Sequence, residues 1–298
     1  MTEFESRKVL ENILEELNVE NGDCIMLGID MGRLPLPAYP AALNKEAFRE
    51  REEKWCEFVL NVLMDTLGEK GTLLVPSYSY SCTRPGTIFS TETTRSEVGP
   101  FTDYFRKQAG VIRSIHPIFS IAAKGAHAEA ILSNVSRAAF GTNTPFARFQ
   151  QYKVKFLCLG VEIKNAITYI HHMEQLSGCP HRFSKSFNIE VHTKDTQFTA
   201  EWTAFLNYRG IDYHSDITSL QKALMDAGTL QQKTWNGNPN QIAAIEDVEC
   251  AGFGLLMNDP YTFVNRRIRM RFDDMPDPEA TNKNSNTITV SAVEAPNK

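Results

Sequence analysis

The sequence predicts an α/β fold, and three observations carry that reading. Short apolar runs at Cys24–Ile29, 71–76 and 156–159 fit buried strands, and each is closed by a turn residue, a proline or a polar stretch. Between and around them lie long stretches with helical periodicity. Residues 7–17 place Val9, Leu10, Ile13, Leu14 and Leu17 on one stripe, and residues 46–67 do the same with Phe48, Trp55, Phe58, Val59, Val62, Leu63 and Leu67. The third observation is local: the run 156–159 stops at Gly160 and, after a polar connection, feeds a helical segment in which Thr168, His171 and Glu174 stand three apart on one face. A strand end that opens onto a polar helix is where α/β proteins place their ligands.

The remaining elements follow in order. Asn21, Gly22 and Asp23 form the turn before the first strand, and Pro35, Pro37 and Pro40 give an extended loop after it. The second strand leads into Ser77-Tyr78-Ser79-Tyr80-Ser81, where Tyr78 and Tyr80 are candidates to stack on a substrate. Residues 99–108 read as a short helix. His116 precedes Pro117 and is held extended, a candidate to orient a substrate. Residues 187–191 and 197–206 read as antiparallel strands, 217–227 as a helix ended by Gly228, 248–256 as a strand and 260–264 as a closing helical turn. Residues 1–272 are read as one domain, and the polar, Pro-containing stretch 273–298 as a mobile tail.

Composition excludes several classes. The chain has 298 residues, 42% hydrophobic and 22% charged, with a net charge of −5, so no overall positive field exists to draw nucleic acid. The charged N-terminus lacks a signal-peptide core, and no run approaches the ~18 apolar residues of a membrane span, so a cytoplasmic protein is expected. Six cysteines without C-x-x-C spacing read as reduced thiols rather than a zinc site. His171 and His172 are adjacent and cannot chelate one metal from one helix face, so no metal is expected.

Three segments occur in register: Arg113-Ser114-Ile115-His116-Pro117-Ile118-Phe119-Ser120-Ile121-Ala122-Ala123-Lys124-Gly125, then Phe140-Gly141-Thr142-Asn143-Thr144-Pro145-Phe146, then Leu159-Gly160-Val161 followed by Thr168-x-x-His171-x-x-Glu174. Their order and spacing resemble the aminoglycoside 3-N-acetyltransferase family, over roughly residues 21–264. The resemblance implies a mixed central sheet flanked by helices, distinct from the commoner acetyltransferase fold, and transfer of an acyl group from acetyl-CoA or another acyl-CoA to an amine. Such a transfer needs a base for the ammonium proton and stabilisation of the thioester oxyanion.

His171 is the expected base, because imidazole titrates near working pH. Glu174 and Asn165 are its expected partners, with Asp212 and Asp216 as further acids, and Thr168 a hydroxyl donor to the coenzyme thiol or the oxyanion. The resemblance places Arg113, Ser114, Ser120 and Thr144 toward the coenzyme. Relatives carry a His-Ser-Ser-like run near the coenzyme where this chain has Gly28-Ile29-Asp30-Met31-Gly32-Arg33, and some carry an aspartate at the position of Asn165. With no acidic acceptor strip visible and with Arg182 and Lys185 available for phosphates, the expected acceptor is an amino sugar rather than an antibiotic, nucleotide-linked amino sugars being among the candidates. An aminoglycoside acceptor, a scaffold that binds coenzyme A without turnover, and a homo-oligomer stay open.

Overall fold

The structure, a computed structural model, describes residues 1–208 and 213–267. Asp212 and the stretch 273–298 lie outside the described residues. The first half of the chain contributes α1 (Glu3–Glu16), β1 (Cys24–Ile29), α2 (Lys45–Leu67), β2 (Thr72–Pro76), β3 (Ile88–Ser90), α3 (Pro100–Phe105), β4 (Ile112–Arg113), β5 (Ile121–Gly125) and α4 (Ala128–Leu132). The second contributes β6 (Lys155–Leu159), α5 (Ile170–Leu176), β7 (Arg182–His192), β8 (Gln197–Asn207), α6 (Thr218–Asp226), β9 (Gln231–Trp235), β10 (Asn238–Ala244) and α7 (Ile245–Asn258).

Seven strands form one mixed sheet in the order β4-β5-β2-β1-β6-β10-β9. The three apolar runs are its parallel centre, with β1 between β2 and β6, and antiparallel strands extend it on both sides. These runs are apolar throughout because both faces are covered. Ile25, Leu27, Leu73 and Leu157 point into a core shared with α1, α2 and α3, while the intervening Met26, Leu74, Phe156 and Cys158 point into one shared with α4 to α7. A second sheet, β3-β7-β8, buries Ile189, Val191 and Trp202 in that latter core.

Local chemistry sets most boundaries. A capping box between Thr2 and Glu5 starts α1 ahead of its apolar stripe, and the Asn44 side chain caps α2. Two expectations change. Residues 248–256 are helix rather than strand: Ile245, Val248, Gly252 and Leu256 recur on the buried face of α7, and Gly252 is a notch in which an added Cβ would come 2.7 Å from Met173 Sδ. Residues 231–244 were assigned no element by sequence, yet they form the β9–β10 hairpin. Its two-residue Asn236-Gly237 turn has both residues at positive φ, as a type I′ turn requires. No helix among the described residues is long and apolar enough to cross a membrane.

Gly28, at the end of β1, sits under the turn that leads to α5, and a Cβ there would lie 2.6 Å from Ala166 Cβ. Gly28→Ala is therefore expected to lower stability by about 1–3 kcal/mol, the usual cost of overpacking. An unchanged urea midpoint would contradict this packing.

Candidate active site

The approach to α5 is fixed from the neighbouring strand. After β6, Gly160 N–H donates to the Asn240 side chain at 3.0 Å and Ile163 N–H to the Gln241 side chain at 2.7 Å, so two buried amides of β10 hold the connection. A short 3-10 turn, Ile163–Asn165, follows. Tyr169 then donates from its hydroxyl to Glu249 Oε1 on α7 at 2.6 Å, and His171 N–H donates to the Thr168 carbonyl, closing the first turn of α5.

Glu174, the next turn along, is fully buried. His171 Nδ1 lies 2.8 Å from its Oε2, Arg182 Nε 2.8 Å from the same oxygen, and His181 Nε2 2.9 Å from Oε1. Burial alone raises the carboxyl pKa, but the hydrogen bonds from His171 and His181 and the charge of Arg182 outweigh it and bring it to about 2. Glu174 is thus an anion and only accepts. His171 therefore carries its proton on Nδ1, which leaves Nε2 as the acceptor nitrogen, with the Arg182 guanidinium at a long 3.5 Å from it. The ring is buried except for a rim, 18% of the side chain. Its pKa is lowered, by burial first and by Arg182 second, which favours the neutral form that can accept a proton.

Arg182 opens β7 and bonds Ser215 Oγ at 2.9 Å, with its guanidinium 3.5 Å from His171 Nε2. His181 is held by its carbonyl, which accepts from the Tyr213 hydroxyl; that hydroxyl accepts in turn from Tyr208 N–H at 3.0 Å. His172 faces away from Glu174: its Nδ1 accepts from Gly141 N–H at 3.1 Å, and Phe140, held beside it, packs edge-on to His171 at 5.9 Å. Burial holds the His172 pKa at about 4.

The structure brings some expected residues to this centre and gives others different work. Thr168 is one turn before His171, with the buried Tyr78 hydroxyl against it, and the rings of Tyr78, Phe119 and Phe140 run in contact to His171. Tyr80 is 47% exposed and packs on Phe119. Asn165 is exposed on the 3-10 turn, and the Nδ1 of His171 is held by Glu174 instead. Asp216 caps α6 through Thr218 N–H at 3.0 Å.

His116 is not open to a substrate. Its Nδ1 accepts from Ile118 and Phe119 N–H, its Nε2 lies 3.1 Å from the Thr203 carbonyl, and burial lowers its pKa to about 4. Arg113 and Ser114 border a cleft of about 510 Å3, yet their polar groups stitch the fold. Arg113 donates to Ser120 Oγ, Ser79 Oγ and the carbonyls of Ser77 and Thr94, and lies over the Phe89 ring; Ser114 Oγ accepts from Ile121 N–H. Ser120 Oγ donates to the Ser77 carbonyl, and Thr144 Oγ1 to that of Gly141. Arg182, expected to reach a phosphate, is instead buried against Glu174. Lys185 lies over the Phe187 ring. His181 was missed altogether. Its signal was the seven-residue step from Glu174 across Gly178 and Pro180, which turns the chain back on α5. A separate cleft of about 1150 Å3, lined by Glu52, Glu53, Ser81, Glu97, Asp103 and Lys107 among others, includes none of His171, Glu174 and Arg182.

A mixed sheet whose central strand delivers a histidine paired with an ionised, buried carboxylate defines a scaffold suited to proton transfer at an amine. A profile of the aminoglycoside 3-N-acetyltransferase family matches residues 47–250, and the chain belongs to that family. Aminoglycoside N(3)-acetyltransferase VII of Streptomyces paromomycinus is 30% identical over 143 residues, a match that covers 42% of this chain and about half, 49%, of that protein. The fold is shared with AAC-IIIb bound to CoASH, at a TM-score of 0.68 and 20% identity over 85% of this chain and 96% of that one. AAC-VIa bound to sisomicin is similar, at 0.67 and 19% over 85% and 97%.

Two measurements check the electrostatics. His116 and His172 have folded pKa values near 4 against an ordinary 6.5, so the stability they contribute is complete above pH 6.5 and is lost as pH falls from there toward 4. Glu174 adds stability above its ordinary 4.5 that is lost toward pH 2. The urea midpoint should therefore begin to fall below about pH 6.5, ahead of ordinary carboxylates; a flat midpoint from pH 7 to 4.5 would contradict this. Second, Arg182→Gln removes a cation beside His171, so the His171 pKa read by NMR titration should move up. A downward shift or none would contradict the pairing.

Proposed function

We propose that the protein is an N-acyltransferase that moves an acetyl or similar acyl group from an acyl-CoA to an amine of an aminoglycoside. The observation that carries this reading is the His171–Glu174 pair, in which Nδ1–H is donated to a buried anion and Nε2 is left as the base. The acceptor amine attacks the thioester carbonyl while His171 Nε2 takes a proton from its nitrogen. The C–S bond then breaks as the tetrahedral intermediate collapses, and the imidazolium returns that proton to the departing thiolate. The products are an amide and free coenzyme A, and His171 is neutral again. Glu174 stabilises the imidazolium in between and fixes the ring.

Thr168, one turn before His171 and with the Tyr78 hydroxyl beside it, is assigned to the thioester oxyanion or the thiol. At the edge where relatives carry a His-Ser-Ser-like run, Asp30 turns its side chain back onto Gly32 N–H and Arg33 pairs with Asp30 at 3.1 Å while staying half exposed. Any coenzyme contact there is made by backbone and Arg33 rather than by hydroxyls.

The electrostatic ground for a nucleotide-linked acceptor loses Arg182, whose charge is met by Glu174 and whose side chain is nearly fully buried. The matched relatives are named for aminoglycosides, and that class is the acceptor proposed. The test is free-thiol release from acetyl-CoA with an aminoglycoside panel and a sugar-nucleotide panel. Saturable turnover of an aminoglycoside is expected, with His171→Ala reducing it at least ~100-fold while acyl-CoA binding persists. Turnover of sugar nucleotides alone would overturn the acceptor, and near-normal activity in His171→Ala would overturn the mechanism.

A further inference from the structure

We infer that His181 is a positioning residue for His171, acting through Glu174 as the donor that fixes the carboxylate's second oxygen; this rests on the reading of His171 as the base. Two of the three groups around Glu174, the donor His171 Nδ1 and the ion-paired Arg182 Nε, meet on Oε2, and Oε1 is held by His181 Nε2 alone among the described residues. A carboxylate gripped at one oxygen can still rotate about its last side-chain bond. Gripped at both, its plane is set, and with it the direction in which Oε2 presents its lone pairs to His171 Nδ1. The orientation of that ring decides where Nε2 points, and an ångström of misplacement at a reacting atom is costly.

The rest of the residue's surroundings agree with this single task. His181 is fully buried, and its Nδ1 has no hydrogen-bond partner, in contrast to His116, whose nitrogens both meet backbone groups. Leaving a buried nitrogen unpaired is costly, and here that cost accompanies a second nitrogen aimed at Glu174. The main chain is pinned for the same purpose. Cys179 N–H donates to the Glu174 carbonyl at 3.0 Å, Gly178 takes the positive φ that turns the chain, and the Tyr213 hydroxyl holds the His181 carbonyl. Tyr213 and Tyr261 pack against the ring with centroids 6.3 and 5.8 Å away. The next residue is Arg182, so one short segment delivers both the donor to Oε1 and the cation paired with Oε2.

The test uses the full chain with His181→Leu, which removes the donor, and His181→Gln, whose amide nitrogen reaches the position of Nε2. Two readouts are taken: steady-state kinetics with acetyl-CoA and an aminoglycoside, and the nitrogen-bound proton of His171 Nδ1 in protein labelled with 15N-histidine. The Leu variant should lose ~10- to 100-fold in kcat, with the KM of both substrates within ~2-fold, and the His171 Nδ1–H signal should broaden into exchange with water. The Gln variant should restore the signal and most of kcat. Should the Leu variant not fold, His181→Asn, whose shorter amide falls short of Oε1, takes its place with the same expectation. A folded Leu or Asn variant with an unmoved His171 signal and wild-type kcat would overturn the proposal, as would a Gln variant as impaired as Leu. If wild-type protein turns over no amine, the functional reading fails, while the His171 signal still decides the positioning role.

Discussion

The carboxylate of Glu174 is buried away from water, yet it is ionised, and the surrounding structure is arranged around keeping it so. An isolated carboxylate in such a place would take up a proton. Here two imidazole donors and one guanidinium charge reach its two oxygens, one from its own helix and two from the segment that starts β7. Removing a donor does not merely subtract one bond; it leaves the rest of a buried charge under-compensated. The neighbouring devices follow from that constraint: Gly178 turns the chain, the hydroxyls of Tyr213 and Ser215 brace His181 and Arg182, and α5 is anchored by Tyr169 on Glu249 and by the Gly252 notch in α7.

The electrostatic result is a histidine prepared for one direction of proton transfer. Burial and Arg182 both disfavour the imidazolium, while Glu174 favours it, so the ring is neutral at rest and its charge, once gained, is met at 2.8 Å. Arg182 has a part in both halves of that balance, since it touches Glu174 through Nε and approaches His171 through its terminal nitrogen. The adjacent His172 shows how different two neighbouring imidazoles can be: it is held neutral by burial and serves the loop that carries Phe140.

How much of this was legible in the sequence divides along sequence separation. The three central strands, α1, α2 and α5 could be read because each is written in its own apolar period, and the His171–Glu174 pair because i, i+3 residues share a face. The family resemblance, resting on three segments in register, is matched by the profile over 47–250. What failed was long-range or ambiguous. Residues 248–256 read as strand because their glycines dilute the helical pattern, and Gly252 makes sense only against Met173, far back along the chain on α5. The Asn236-Gly237 turn was there to be read between two polar strands, which lack the apolar alternation that usually marks a hairpin. Among site residues, the motif segments around Arg113, His116 and Thr144 carry a structural signature: their polar atoms are met by backbone, which no spacing reveals. Arg182 looked like a surface cation because its partner lies across a turn, and His181 looked like nothing at all.

The ionisation of Glu174 can be tested without any substrate. The infrared difference spectrum between wild-type protein and Glu174→Gln at pH 5 isolates that one carboxyl. The expected result is loss of a carboxylate antisymmetric stretch and no band from a protonated acid, since a group with a pKa near 2 is fully ionised there. A protonated-acid carbonyl band in the wild-type protein would mean that the two imidazoles and Arg182 do not hold an anion, and the assignment of His171 as a base oriented by charge would fall with it.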